Sequence, residues 1–267
     1  MNAYQITGII GLVLAVLVVF LVARKTKLTK SHLAYLCVCG AAGIFVGGHV
    51  MFFLVGLPDF IKNEVPNIHN GAELIDSLYY ASSGMVFYGG LLCALLFMYL
   101  YIRIRKLPAR LYLNNTVIAF PLFHVLGRIG CSLTGCCYGI EYHGPLALHY
   151  TQAHVTPGIN DDIVNFTRFP VQPLEALLEL IIFIVLLILL LKKGDSFSVT
   201  SSYLLMYSVV RFLDEFLRGD ALRGFWGPLS TSQWISLAIF IITIIYLIVK
   251  RSKNKNVPAP ISRQTVR

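Results

Sequence analysis

The chain has 267 residues, of which 57% are hydrophobic and 13% charged, whereas a soluble domain averages about 25% charged residues. Its formal net charge is +9, but the cations sit between long apolar runs. That pattern excludes an ordinary soluble enzyme and argues against a nucleic-acid partner; the cations read as topology determinants and contacts to anionic lipid.

Seven apolar segments in a single polytopic domain, residues 1–267, are predicted to cross a bilayer as helices: residues 4–23, 32–57, 79–102, 112–132, 172–191, 198–218 and 231–249. About 20 apolar residues suffice for one crossing. The first segment reads as a retained anchor, because no cationic stretch precedes it and no small-residue cleavage pattern follows. Alternate connections are basic. They carry Arg24, Lys25, Lys27 and Lys30; then Arg103, Arg105, Lys106 and Arg110; then Lys192 and Lys193; then a tail, 250–267, with six more. Together these hold 16 of the 22 Lys and Arg. The connections between them, 58–78 and 140–171, hold one cation each, Lys62 and Arg168, and seven acids. The positive-inside rule then puts the N-terminus outside and the C-terminus in the cytoplasm. Loop 58–78 is expected to include a short interfacial helix. Loop 140–171, with His143, His149 and His154, is long enough to be a functional cover over the outer face.

Residues 124–139, HVLGRIGCSLTGCCYG, interrupt this pattern. They put Arg128 at membrane depth, where an ionisable group costs about 2.5–3.5 kcal/mol and therefore marks function. A fixed cation in a polar site inside a bilayer suits the phosphate of a lipid headgroup. His124 stands one turn before Arg128 on the same helix face. In the segment 82–92, SSGMVFYGGLL, two readings stand for the glycines. They allow close helix approach, or Gly89 and Gly90 open room for a headgroup beside Tyr88. Gln172 and Glu175 lie near the start of the fifth span, after Pro170, and Glu175 and Glu179 are spaced by four, so either is placed to face the interior. In YSVVRFLDEFLRGD, 207–220, Arg211, Glu215 and Arg218 share one helix face. A buried Arg211 needs a partner, and Glu215 one turn away can supply it. His49, after Gly47-Gly48, is a further polar intruder in an apolar span.

Six cysteines occur, and Cys131, Cys136 and Cys137 fall within seven residues. The spacing C-x4-C-C is not a standard zinc or iron–sulfur pattern, so no metal is expected. A disulfide from Cys131 to either neighbour, or plain packing, are the competing readings.

The motifs resemble those of the bacterial prolipoprotein diacylglyceryl transferases. GRIGCSLTGCCYG is similar to the family's signature, SGMVFYGGLL to its glycine-rich third-span motif, FPVQPLEALLE to its proline-glutamine-glutamate motif, RFLDEFLRGD to its late arginine motif, and the glutamine of LSTSQWIS to the start of its last span. The likeness covers about residues 80–240, and a seven-span, N-out topology also fits it. It implies a bacterial inner-membrane enzyme that moves diacylglycerol from phosphatidylglycerol to the cysteine thiol of a prolipoprotein signal peptide, with no cofactor. It further implies that Arg128 and Arg211 are the essential arginines; the candidates for the base are Tyr88 by its position and His124 by its place one turn before Arg128, with His49 as the outsider. Gly139, Gly89, Gly90, Gln172, Glu215 and Arg218 are then candidates for substrate binding. The family carries asparagine where Cys131 stands, glutamate where Cys136 stands, and often histidine where Tyr88 stands. Two alternatives accompany this reading: a membrane thiol–disulfide protein using Cys131, Cys136 and Cys137, and a lipid-binding paralogue that lost the chemistry.

Overall fold

The computed structural model describes residues 3–26, 28–151, 163–193, 198–220 and 224–255. Lys27, His154, Asp161, Asp162 and the tail beyond residue 255 lie outside the described residues. The fold is nearly all helical. Helices α1 (Ala3–Thr26), α2 (Lys30–Asp59), α3 (Gly71–Ser82), α4 (Phe87–Ile104), α5 (Ala109–Val117), α6 (Ala119–Thr134), α7 (Val171–Lys193), α8 (Val199–Asp214) and α9 (Thr231–Lys255) follow in order. Among the described residues six spans are long and apolar enough to cross a membrane: α1, α2, α4, α5 with α6, α7 and α9. The remaining predicted crossing, 198–218, is the 16-residue α8 followed by a 3₁₀ turn over Glu215–Leu217.

Two predicted spans are divided. The third, expected over 79–102, is two helices, because α3 ends at Ser82 and α4 begins at Phe87. The hydroxyls of Ser82 and Ser83 donate back to the Leu78 and Tyr80 carbonyls. His49 Nδ1 donates to the Ser82 carbonyl at 2.8 Å, so this polar intruder closes the end of α3 and is not aimed at a reacting group. The predicted short helix of loop 58–78 is α3 itself. Asn70 caps its first turn by accepting from the Glu73 amide, and Glu73 reaches back to the His69 amide, a reciprocal cap. The fourth span breaks at Ile118 between α5 and α6. Pro121 has no N–H to give the Val117 carbonyl, which interrupts the ladder at that point.

The buried faces of the helices mix polar and apolar residues, while the exposed faces are apolar. On α7 the buried positions include Gln172, Glu175, Glu179, Ile182 and Leu186, while Leu177, Ile181, Ile184 and Ile188 are exposed. Spacings of three and four put each set on its own face. On α1 the small residues Gly11 and Ala15, with Val19 and Val22, turn inward, and α1 packs against α6. The closest crossing is α2 on α4. A Cβ on Gly47 would collide with the Gly89 carbonyl, one on Gly89 with the Gly47 carbonyl, and one on Gly90 would stand 2.9 Å from the Ile44 carbonyl. Gly89 and Gly90 therefore serve helix approach, and the expectation that they open room for a headgroup is corrected by the α2 backbone filling that space.

Outside the helices, short strands tie one end of the bundle together. Leu148–His149 pairs with Thr167–Arg168, Gly139 bridges Arg218, and Glu141 bridges Arg168. The segments around 139, 168 and 218 thus lie side by side, joining the ends of α6 and α8 to the start of α7. Tyr138, Tyr150 and Ile163 form a small core beneath.

The α2–α4 crossing generates a stability prediction. Gly47→Val should lower the melting temperature in detergent by the equivalent of about 1–3 kcal/mol, the usual cost of overpacking. Gly56→Ala, whose new methyl meets nothing within 4 Å, should not lower it. Coincident melting curves for Gly47→Val and wild type would dismiss the close crossing.

Candidate active site

Helices α6, α7 and α8 bring their charged residues to a common buried region. His124 and Arg128 come from α6, Glu175 and Glu179 from α7, and Arg211 and Asp214 from α8, with Glu215 in the following turn; all are at most 6% exposed. Glu175 is the centre. Arg128 Nη2 donates to its Oε1 at 2.9 Å, and Arg128 Nε lies 2.8 Å from its Oε2. This side-on pairing matches two guanidinium nitrogens to two carboxylate oxygens and fixes the plane of both groups. His124 Nε2 lies 3.5 Å from the same Oε1, and its Nδ1 3.5 Å from Glu179 Oε1. The imidazole is therefore held between two carboxyl groups, and it stacks on Phe87 with centroids 3.8 Å apart.

Arg211 is held from three sides. Its Nη2 lies 2.5 Å from Glu215 Oε2 and donates to Ser232 Oγ at 3.3 Å, and its Nη1 donates to Asp214 Oδ2 at 3.3 Å. The Glu175 carboxyl lies within electrostatic range of both Arg128 and Arg211. The two arginines, from different helices, therefore meet on one carboxylate neighbourhood. Tyr88 is buried beside them, with its hydroxyl 2.6 Å from Ser236 Oγ and its ring 5.2 Å from that of Tyr207.

The other predicted residues have different places. Arg218 leaves the helix. The expectation that it shares a helix face with Arg211 and Glu215 is corrected, since α8 ends at Asp214 and Arg218 is extended backbone. It forks onto Asp220 with contacts of 2.9 and 2.5 Å, which spends two of its donors on its own segment. Gly139 acts through its backbone. It bridges Arg218, and a Cβ there would strike the Phe169 carbonyl. Gln172 donates to the Cys136 carbonyl at 2.9 Å and to the Tyr150 hydroxyl at 3.0 Å, so it ties the segment around Tyr150 to the end of α6. Burial pushes the Tyr150 phenol up to about 12, which keeps it neutral and able to accept that bond. Gln233 caps α9, accepting from the Ser230 amide while its own amide donates to Ser230 Oγ.

Helical spacing pointed Glu175 or Glu179 toward the interior without giving either a role in the site, and Asp214, Tyr203, Tyr207 and Ser236 were not assigned to it. The signals were there as spacings of four: Glu175 and Glu179, Tyr203 and Tyr207, Ser232 and Ser236. The three cysteines of the signature, given no standard ligand spacing, have their sulfurs within 4.8 Å of one another, and all six cysteines are unpaired thiols.

The sequence profile of the family described as prolipoprotein diacylglyceryl transferase matches residues 1–249. The chain belongs to that family. A phosphatidylglycerol–prolipoprotein diacylglyceryl transferase of Clostridium tetani is 29% identical over 246 residues, covering 92% of each chain. One of Idiomarina loihiensis is 30% identical over 84% of this chain and 80% of its own. One of Lactobacillus acidophilus is 29% identical over 94% of this chain and 86% of its own. The resemblance carried by the motifs is thus a family relationship along nearly the whole chain. Family membership and the apolar helices together make this a membrane transferase.

The geometry predicts a large asymmetry between two carboxylates of this transferase. Removing Glu175 strands a buried arginine, and breaking such a pair costs about 3–5 kcal/mol. Glu175→Leu should therefore sharply lower the melting temperature. Glu141→Gln, which disturbs only an exposed pair with His143, should leave it unchanged. A thermal melt of Glu175→Leu that overlays wild type would remove the pairing from its central place.

Proposed function

We infer that the chain transfers diacylglycerol from phosphatidylglycerol to the cysteine thiol of a prolipoprotein. The observation that carries this reading is the approach of Arg128 and Arg211, from separate helices, to the neighbourhood of Glu175. Departure of glycerol phosphate requires its growing negative charge to be met by fixed donors. In a site closed to water such donors are usually the largest catalytic contribution. Both guanidinium groups are already oriented by carboxylates, so little reorganisation accompanies the reaction.

The acceptor sulfur must be a thiolate to attack. His124 is the better placed base of the two expected from sequence. It stands 3.5 Å from a carboxylate oxygen of each of Glu175 and Glu179, which bracket its ring, and a base must lie within hydrogen-bond reach of the proton it takes. Tyr88 is committed to Ser236 and acts as a positioning group. The thiolate sulfur forms a bond to the terminal glyceryl carbon, the carbon–oxygen bond to phosphate breaks, and glycerol phosphate leaves with that electron pair.

The same reading sets the topology. Sixteen residues of α8 rise about 24 Å, and the 3₁₀ turn adds about 6 Å. That matches a hydrocarbon core of about 30 Å and makes α8 the seventh crossing. The N-terminus is then outside, the tail cytoplasmic, and the site lies toward the outer leaflet of the bacterial inner membrane. Signal-peptide cysteines arrive at that leaflet from the translocation side.

Two measurements test this. Arg128→Lys keeps the charge and loses the fork; its rate of thioether formation from phosphatidylglycerol and a cysteine-bearing signal peptide should fall about 10²–10³-fold. Wild-type turnover in that variant removes the clamp. His124→Phe should also be nearly inactive, whereas Tyr88→Phe keeps substantial activity; the reverse order transfers the base role to Tyr88. Reporter fusions after Lys30 and Lys62 should report opposite sides of the membrane, and a shared side overturns the topology.

A further inference from the structure

The end of α6 contains a group of side chains that the transfer reaction, as derived above, does not use. Cys131 lies in its last turn. Gly135 then adopts a left-handed conformation, φ 71°, and Cys137 does so as well, φ 56°. For glycine this costs little, but for cysteine a left-handed backbone is a strained state that persists only when its surroundings enforce it. The two turns fold the chain back on itself and carry Cys136 and Cys137 to Cys131. The three Sγ atoms lie within 4.8 Å of one another. Three sulfurs bound to one zinc-like ion at about 2.3 Å would stand about 3.7–4.0 Å apart, so the observed set needs at most a small contraction. The hook is also anchored: Gln172 holds the Cys136 carbonyl at 2.9 Å, and Thr134 Oγ1 lies 3.5 Å from Cys136 Sγ.

We propose that Cys131, Cys136 and Cys137 form a three-thiolate site for a thiophilic divalent cation of the zinc class, and that its open fourth position takes the acceptor thiol. The second half rests on the transferase reading. Such an ion takes four ligands, and a site with three protein donors keeps one position for substrate. Cys131 follows Arg128 by three residues, on the same face of α6, so the fourth ligand arrives beside the phosphate clamp. Coordination turns the acceptor thiol into a metal-bound thiolate, since a coordinating thiol gives up its proton. His124, two turns back on the same face, takes that proton. The bound sulfur then attacks the glyceryl carbon, and glycerol phosphate leaves with the electrons of the broken carbon–oxygen bond.

The test uses the full chain in detergent, reduced and freed of metal, with thiols counted before titration with Co²⁺. The expected result is one Co²⁺ per chain, with sulfur-to-cobalt charge-transfer absorption and the strong visible bands of a tetrahedral site. One equivalent of Zn²⁺ should bleach both. Cys131→Ser, Cys136→Ser and Cys137→Ser should each lose the charge-transfer band, while Cys39→Ser keeps it. The wild-type titration is decisive even if a variant fails to fold: three free thiols and no charge-transfer band overturn the site, as does a disulfide that forms among them in place of metal binding. A cysteine-bearing signal peptide added to the Co²⁺ form should shift the visible bands, and its serine analogue should not. Unshifted bands with the cysteine peptide overturn the acceptor role. Thioether formation is assayed separately: if the peptide shift is present and no product forms from phosphatidylglycerol, the transfer reading fails and the thiol-holding site stands.

Discussion

The side-on pairing of Arg128 with Glu175 is the contact on which the rest of the bundle depends. In a bilayer, lipid tails are as apolar as leucine, so burying an aliphatic face against a neighbour does little to fix how a helix is rotated. A buried guanidinium–carboxylate pair does fix it, because each group must keep its partner or remain charged and alone in a medium that solvates neither. Glu175 meets Arg128 and His124 from α6 and lies within electrostatic range of Arg211 from α8. One carboxylate thereby sets the mutual rotation of three helices, and the same constraint sets where the charges face.

This has a chemical consequence. The groups that orient the arginines also hold them ready. A cation aimed by rigid partners does not have to reorganise when negative charge develops beside it, which is the condition for strong electrostatic stabilisation. Arg218 shows the contrast. It is nearly as buried, yet it forks onto Asp220 in its own segment, so it closes the end of the bundle and steadies the strand contact with Gly139.

Glycines are used in two distinct ways. Gly47, Gly89 and Gly90 let α2 and α4 cross backbone to backbone. Gly139 and Gly219 let three extended segments lie together where α6 and α8 end and α7 begins, since a Cβ at either would strike a neighbouring carbonyl. Only Gly135 serves through its left-handed backbone within the signature, and there it works with Cys137 to turn the chain back toward Cys131. The signature segment thus carries a helix terminus, a buried arginine paired with Glu175 and a cluster of thiols.

The sequence by itself determined the membrane character, five of the spans within a few residues, the α3 helix in the second loop and the family, because apolar runs and short motifs are local properties. It also placed His124 with Arg128, Glu175 with Glu179 and Arg211 with Glu215, because helical spacing makes such pairs neighbours. It could not divide the third span at Ser82, since that break depends on His49 from another helix. Nor could it choose between headgroup space and helix contact for Gly89 and Gly90, which is decided by where the α2 backbone runs. The pairing of Arg128 with Glu175 crosses 47 residues of chain, and the meeting of three sulfurs depends on two left-handed residues that no ligand spacing encodes. Periodicity specifies which face a side chain is on; only the packing of one helix against another specifies what that face meets.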